Sequence, residues 1–215
     1  MACFPLMIEV SGRTVIVIGG GRVALHKINV LLPFEVKLQV ISEQFCDELY
    51  ALAVENSSQI ILIQKGFEEN DIAGTEEDIC FVVAATDDGK LQSQVSELCK
   101  EKHIPVNVVD VKEKSSFYFP AIVKRDELVV AVSTGGSSPV AAGYLKKRIA
   151  GGLPDYYGGL VDTLGRYREL VLSKIGDYEQ RKQFFRELLM YGEEHEGDLP
   201  EEAVMEMLSH YEKGL

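Results

Sequence analysis

Short runs rich in valine and isoleucine alternate with helical patterns through the first half of this 215-residue chain. Near-continuous apolar runs of strand length, separated by helical patterns, are typical of a parallel sheet covered by helices on both faces. The strand-like runs cover residues 14–18, 37–41, 60–64, 79–85 and 105–109, and the helical patterns cover residues 23–32, 44–54 and 90–102. The alternation therefore predicts the α/β class, built from right-handed βαβ units.

The pattern changes after residue 111. Two β-like runs, SSFYFPAIV and ELVVAVS, are separated only by the charged turn 124–126, which indicates a hairpin with no helix between its strands. Beyond Ser138 and Pro139, a pair well suited to begin a helix, the sequence has no clear strand. Apolar residues recur there at close to helical spacing and predict a helical tail: Leu160, Leu164, Tyr167, Val171 and Ile175. We expect the acidic stretch 193–202 to be a solvated loop.

The strongest local signal is the segment TVIVIGGGRVALHK, in which a glycine-rich stretch follows a strand and opens a helix. Gly19, Gly21 and Ala24 form a GxGxxA pattern in that context. The first glycine permits a tight turn, the second lets the backbone approach a pyrophosphate, and the alanine allows close helix packing. The segment predicts dinucleotide binding on a Rossmann-like sheet, and a purely structural turn is the alternative.

Two further candidates for cofactor contact lie where strands end. Glu43 follows the second strand, 19 residues after Ala24, where an acid binds ribose hydroxyls. No Lys or Arg follows it immediately, which favours NAD over NADP because a carboxylate repels a 2′-phosphate; a solvent-facing Glu at a helix start is the alternative. Thr86 follows the fourth strand at the edge where open α/β folds bind ligands. The alternative is that Thr86, Asp87 and Asp88 only cap the next helix.

Asp110 ends the fifth strand at the same edge, after a run of apolar residues. We expect it to be partly desolvated there, which would make it a usable general base. Many strand-end aspartates only hold a turn, and that alternative stays open.

The turn STGGSSP lies between a strand and a helix. Its polar groups are placed to cradle a carboxylate or a phosphate: the amides of Gly135, Gly136 and Ser137, and the hydroxyls of Ser133, Thr134, Ser137 and Ser138. A simple helix start at Ser138 is the alternative.

Charge and composition exclude several classes. The chain has 22 Lys and Arg against 34 Asp and Glu, a formal net charge of −12, so neither nucleic acid nor a membrane surface is an expected partner. No apolar run approaches the ~20 residues that span a bilayer. The four cysteines form no CxxC pair and the four histidines no HExxH pattern, so we expect reduced thiols and no metal site. The amino terminus has no secretory pattern, and we expect a cytoplasmic protein.

Taken in order, the motifs VIGGGRVALHK, VVAATDD, NVVD and SFYFPAIVKRDELVVAVSTGGSSP resemble those of the precorrin-2 dehydrogenase family, which includes the amino-terminal module of siroheme synthase. The resemblance spans essentially the whole chain. It implies NAD-dependent conversion of precorrin-2 to sirohydrochlorin in siroheme biosynthesis. Many members also insert Fe2+ as a ferrochelatase to give siroheme, and the sequence does not decide whether this chain does, or whether it prefers Fe2+ to Co2+.

The resemblance also implies roles for individual residues. The cofactor-binding segments fall on Gly19, Gly20, Gly21, Arg22 and Val23 and on Glu43 and Gln44. The catalytic aspartate falls on Asp110. The serine-rich substrate loop matches Ser133 to Ser138, and the candidate substrate-binding residues are Ser133, Thr134, Gly135, Gly136 and Ser137.

Because the implied substrate is rich in carboxylates while the chain is acidic, local cations must offset the charge. Candidates cluster around the hairpin and the following helix: Lys112, Lys114, Lys124, Arg125, Lys146, Lys147 and Arg148. We expect one or two of them to contact substrate.

The family's architecture implies a Rossmann domain over residues 1–113, a β dimerisation segment with its connecting helix over 114–148, and a helical domain over 149–215. The two-stranded segment is apolar on both sides and too short to form its own core, so we expect it to pair with a second subunit in a homodimer. A regulatory NAD-sensing module is the alternative function. It would need the GxGxxA turn but neither Asp110 nor the STGGSSP loop.

Overall fold

The computed structural model describes residues 3–73 and 78–212. The chain folds into two compact units, Met1–Phe119 and Pro120–Leu215, and each unit has hydrophobic core residues of its own. Within the described ranges, none of the helices has the length and apolar character that a bilayer crossing requires.

The described part of the first unit is built on a five-stranded parallel sheet in the order β3-β2-β1-β4-β5. The strands are β1 (Thr14–Ile18), β2 (Lys37–Ser42), β3 (Ile60–Gln64), β4 (Ile79–Ala84) and β5 (Val106–Val108). Because all five run in the same direction, their carboxyl ends meet at one edge, and the strand order reverses between β1 and β4. The predicted Rossmann-like α/β sheet is confirmed, with β5 shorter than the apolar run 105–109.

Helices cover both faces of this sheet. They are α1 (Arg22–Leu31), α2 (Asp47–Glu55), α3 (Asn70–Ala73) and α4 (Gly89–Glu101), with 3-10 turns at Leu32–Phe34 and Lys112–Lys114. Val15 and Val17 of β1 pack in an apolar cluster with α1, whereas Ile16 and Ile18 pack in a second cluster with α4. Each such buried side chain stabilises the fold by roughly 1.5–3 kcal/mol, so both faces hold β1 in its register.

The chain leaves β5 through a segment that closes the first core. The hydroxyls of Ser115 and Ser116 accept hydrogen bonds from backbone amides of β5 at 2.9 and 2.8 Å. Phe117 then packs edge-on against Phe81, with ring centroids 5.0 Å apart. The first hairpin strand, expected from Ser116, therefore begins only at Ala121, because these side chains already pack on the first unit.

In its described part, the second unit combines an antiparallel hairpin with four helices. These elements are β6 (Ala121–Arg125), β7 (Leu128–Val132), α5 (Pro139–Gly151), α6 (Tyr157–Lys174), α7 (Tyr178–Glu194) and α8 (Glu201–Glu212). The predicted apolar stripe lies in the core of the helical part, where Leu160 and Val171 are fully buried. The acidic loop is shorter than expected, because Glu193 and Glu194 end α7 and Glu201 begins α8, where an acid interacts favourably with the helix dipole.

Candidate active site

The turn between β1 and α1 is enclosed by neighbouring backbone. Gly19 has a φ of +121°, and a Cβ there would lie 2.2 Å from the carbonyl oxygen of Ala85. A Cβ on Gly20 would lie 2.1 Å from the carbonyl oxygen of Gln44. The Cys46 amide also donates a hydrogen bond to the Gly20 carbonyl oxygen at 2.9 Å. Both positions need glycine because the obstructing atoms are backbone and cannot rotate away.

Gly21 has the opposite surroundings, since no described atom lies within 4 Å of the place a Cβ would take. It is the N-cap of α1, and the first bond of the helix runs from the Leu25 amide to its carbonyl oxygen at 3.0 Å. The preceding amides of the first turn have no partner within the helix. That turn carries no acidic residue, and the Arg22 side chain is exposed. An open helix amino terminus with a nearby cation fits the pyrophosphate of a dinucleotide.

Glu43 and Gln44 follow β2, and both are exposed. The side-chain amide of Gln64, at the end of β3, donates to the Glu43 carbonyl oxygen at 3.2 Å and fixes the backbone there. The Gln44 carbonyl oxygen faces Gly20, so the β2 loop and the glycine turn lie side by side. An exposed carboxylate at this position is compatible with the predicted ribose contact.

Thr86 is half-buried at the carboxyl end of β4. Its hydroxyl accepts a hydrogen bond from the Asp88 amide at 3.2 Å. The Asp88 carboxylate accepts bonds from two amides in the first turn of α4, at 2.8 and 3.3 Å. The capping alternative is therefore confirmed for Asp88. Asp87 and Asp88 are both exposed. Thr86 keeps its predicted position at the ligand edge, next to the glycine turn.

A residue that the sequence did not single out, Gln92 of α4, ties two strand ends together. Only 8% of it is exposed. Its side-chain amide donates to the Thr86 carbonyl oxygen at 2.8 Å and lies 3.5 Å from that of Val109. Gln92 thus holds the segment before Asp110 against the end of β4. Its position on the buried face of a predicted helix was the available signal.

Asp110 follows β5 at the same edge and adopts a left-handed backbone conformation, with a φ of +61°. Asp and Asn accept this conformation more readily than most other residues. Its side chain is exposed, so the predicted partial desolvation is not observed. The carboxylate is instead accessible to a large ligand at this edge.

Lys27 of α1 is the second residue that the sequence did not single out. It is half-buried, and its Nζ lies 4.5 Å from the centroid of the Phe119 ring. Burial lowers the pKa of the Lys27 ammonium, and the negative charge of Asp110 opposes that shift. Lys27 and Asp110 therefore belong to one electrostatic environment.

The STGGSSP loop of the second unit makes many of its hydrogen bonds internally. Gly135 and Gly136 have positive φ angles of 62° and 81°. The Gly135 amide donates to the Ser133 hydroxyl at 3.2 Å, and the Ser137 amide donates to the Thr134 carbonyl oxygen at 3.1 Å. Two of the three amides expected to form an anion cradle, those of Gly135 and Ser137, are thus already engaged. The accessible donors are then the amide of Gly136 and the exposed hydroxyls of Ser133 and Ser137.

The same loop also begins α5. The Ser138 hydroxyl accepts a hydrogen bond from the Ala141 amide at 3.2 Å, and Pro139 occupies the first helical position. The predicted helix start is confirmed, and a loop of this kind can serve both as a cap and as a binding surface.

Several of the cations expected near substrate have contacts of their own. Lys114 donates to the Ser93 hydroxyl at 2.7 Å, and Arg125 pairs with Asp155 at 2.8 Å. Over the described ranges, no three His, Cys, Asp or Glu side chains lie together in a way that could hold a metal ion.

The strand order, the open amino terminus of α1 and the exposed acid after β2 define a Rossmann-type dinucleotide-binding protein. The profile of the NAD_binding_7 family, an NAD(P)-binding family, matches residues 6–121, and the chain belongs to that family. The family supports a nicotinamide cofactor, and the open turn at Gly21 fits one.

Siroheme synthases are similar to this chain over most or all of its length. The siroheme synthase of Thioalkalivibrio sulfidiphilus is 41% identical over 189 residues, which cover 88% of this chain and 37% of the relative. That of Pseudomonas aeruginosa is 36% identical over 218 aligned positions, covering 100% of this chain and 45% of the relative. The chain thus spans less than half the length of these relatives. The predicted similarity to siroheme synthase is confirmed.

Among solved structures, SirC, a precorrin-2 dehydrogenase, matches with a TM-score of 0.75 and 22% sequence identity. The match covers 98% of this chain and 100% of SirC. It confirms the predicted fold over both units.

Proposed function

We propose that this protein is an NAD-dependent precorrin-2 dehydrogenase, which oxidises precorrin-2 to sirohydrochlorin in siroheme biosynthesis. The glycine turn after β1 and Asp110 after β5 lie on the same edge of one sheet, with only β4 between their strands, and this shared edge carries the proposal. The siroheme synthase relatives and the fold shared with SirC support it.

Each group at this edge has a defined part in the proposed reaction. NAD+, when bound, supplies the hydride acceptor. The open amides of α1 beside Gly21 hold its pyrophosphate, and Glu43 accepts hydrogen bonds from its ribose hydroxyls. Oxidation of precorrin-2 to sirohydrochlorin removes one hydride and one proton. The exposed Asp110 carboxylate accepts the proton and passes it to water.

An anaerobic assay with enzymatically generated precorrin-2 tests this reaction. The wild-type protein should form sirohydrochlorin in an NAD+-dependent manner, followed by absorption. Asp110→Asn should lower kcat by about 10²–10⁴-fold, because the amide suits the left-handed backbone but cannot accept the proton. Glu113 is an exposed acid three residues after Asp110, and its neutralisation in Glu113→Gln should leave turnover at the wild-type rate. Unchanged turnover in Asp110→Asn would remove Asp110 from the mechanism.

A second stage of the same assay tests iron insertion. Fe2+ is added once sirohydrochlorin has formed, and a further absorption change above the rate without enzyme would establish a ferrochelatase. The exposed Asp110 carboxylate is then the natural acceptor of the pyrrole protons. Cofactor binding without either reaction would favour the regulatory NAD-sensing module.

The choice of NAD over NADP is a separate part of the proposal, and the exposed Glu43 carboxylate supports it. Wild-type protein should bind NAD+ more tightly than NADP+, measured by calorimetric titration. Glu43→Gln should reduce that preference, because repulsion of the 2′-phosphate is lost while the side chain keeps its size. Glu55→Gln, which neutralises an exposed acid at the end of α2, serves as the matched control. A wild-type preference for NADP+ would contradict the assignment.

The predicted homodimer is also part of the proposal. The β6–β7 sheet has two strands, fewer than an independently stable sheet needs. On α5, which follows it, Val140 and Tyr144 are exposed apolar side chains four residues apart, a spacing that places them on one helix face. Sedimentation velocity should show a dimer, and Val140→Glu should weaken it. An active protein that is monomeric at all concentrations would refute this part.

We place the protein in the cytoplasm, as the sequence leads us to expect. Its four cysteines are free thiols, which persist in a reducing compartment, and this supports the placement.

A further inference from the structure

Lys27 lies beside the apolar face of α1 and is half-buried there. The buried residues of α1 are Ala24, Ile28 and Leu31, and Lys27 lies three residues after the first and four before the last. Residues at these spacings share one face of a helix. A lysine at the margin of this face keeps its ammonium close to the sheet instead of in open water.

The ammonium of Lys27 has no strong partner within the described part of the chain. It makes a cation–π contact with the Phe119 ring, but it makes no hydrogen bond and no ion pair with the described residues. An ammonium carries three hydrogen-bond donors, and leaving them unpaired in a half-desolvated place is unfavourable. Its lowered pKa reflects the same cost of burial.

The negative charge that acts on Lys27 belongs to the proposed catalytic residue. Asp110 acts on the Lys27 ammonium electrostatically, yet the two groups are not within the 4.0 Å of an ion pair. The hydrogen-bond donors of the ammonium are therefore not taken up by Asp110. The proposed substrate is rich in carboxylates, while the chain has a net charge of −12, so a cation beside the reacting edge offsets unfavourable charge.

We propose that Lys27 is a substrate-binding residue, whose ammonium donates hydrogen bonds to a carboxylate of the tetrapyrrole and so places the macrocycle against Asp110. This rests on the proposed dehydrogenase function. The cation–π contact with the Phe119 ring helps to hold the lysine side chain in position. Lys27 acts on substrate and not on cofactor, which separates its role from that of the glycine turn.

Binding of sirohydrochlorin, the reaction product, tests the proposal directly by fluorescence titration of three variants. Lys27→Met keeps the length of the side chain and removes its charge, and should weaken binding by about tenfold or more. Lys27→Arg keeps the charge and should stay within about threefold of wild type. Lys100→Met, at an exposed position on α4, should bind as wild type. The affinity for NAD+ should be unchanged in all three.

The outcomes separate the two proposals. Wild-type affinity in Lys27→Met, in a protein that oxidises precorrin-2, would overturn the role of Lys27 alone. Loss of turnover in both Lys27 variants with product binding intact would overturn it too, because the amine itself would then be required for proton transfer. A wild-type protein that neither binds the tetrapyrrole nor oxidises precorrin-2 would overturn the proposed function and this inference together. Thermal unfolding of each variant confirms that it is folded.

Discussion

Gly20 and Gly21 are adjacent, yet they are glycines for different reasons. A Cβ on Gly20 meets backbone of the β2 loop, whereas a Cβ on Gly21 meets open space in which a cofactor would lie. The first requirement comes from folding and the second from binding. Substitution by alanine therefore separates stability from affinity at neighbouring positions.

Gly20→Ala should destabilise the protein by about 1–3 kcal/mol or more, because neither the turn nor the loop can move aside. Gly21→Ala should lose no more than about 1 kcal/mol of stability, since alanine is a poorer N-cap. It should nevertheless weaken NAD+ binding by about tenfold, because its methyl group keeps the pyrophosphate from the helix amides. Urea denaturation and cofactor titration measure the two effects. Tight binding in Gly21→Ala would contradict the assigned pyrophosphate position.

The cysteines offer a second test at the residue scale. Burial raises the pKa of Cys99 to about 12, whereas Cys3 is exposed. At pH 8, iodoacetamide should label Cys3 in the native protein and leave Cys99 unmodified, because the thiolate is the reacting form. In concentrated urea both should react, which is the internal control. Mass spectrometry of tryptic peptides gives the extents, and native labelling of Cys99 at the rate of Cys3 would show that α4 packs more loosely than described.

At the scale of elements, strands and helices follow directly from hydrophobic patterning. The runs of valine and isoleucine predict β1 to β4 closely, because both faces of this sheet are buried. The run from Ser116 misleads, since its phenylalanines pack on Phe81 by tertiary contacts that no local pattern reveals. The same limit explains the acidic stretch 193–202, where helix ends occupy part of the predicted loop.

The crossing of α6 and α7 can be tested by a pair of glycines. A Cβ on Gly192 of α7 would lie 2.4 Å from Leu160 Cδ1, in the core of the second unit. Gly192→Ala should therefore lower the free energy of unfolding by about 1–2 kcal/mol, because the cost of overpacking exceeds the gain in helix propensity. Gly165 of α6 is exposed, and a Cβ there would meet no described atom, so Gly165→Ala should stabilise the protein by up to about 1 kcal/mol. Equal effects of the two on urea denaturation would contradict the close crossing.

At the scale of the whole molecule, the cofactor edge lies entirely within Met1–Phe119. That unit contains both apolar clusters of the sheet and the segment that closes them. A fragment of residues 1–119 should therefore fold and bind NAD+ with an affinity comparable to that of the full chain. The fragment with Gly21→Ala is the matched control and should bind weakly. An unfolded fragment would show that the sheet needs the second unit for stability.

The candidate site was only partly predictable from sequence. The glycine turn, Glu43, Thr86 and Asp110 are placed by motif and strand order, because parallel strands bring their carboxyl ends together. Gln92 lies outside the quoted motifs, and Lys27 ends the glycine-rich motif without a role that the motif assigns to it. Their importance arises from which carbonyl oxygens or charges lie opposite them in three dimensions. The hydrogen bonds inside the STGGSSP loop could not be predicted from the sequence either, since they depend on backbone angles and not on residue types.

The hydrogen bond from the Cys46 amide to the Gly20 carbonyl oxygen joins the loops that follow β1 and β2. Together with the close contact of Gly20 and Gln44, it makes the two loops a single rigid support. The side of the protein that receives the cofactor is therefore preorganised, and binding should incur little loss of backbone entropy. Substitutions that loosen this support would reduce affinity mainly through an entropic penalty, even where every cofactor contact is retained.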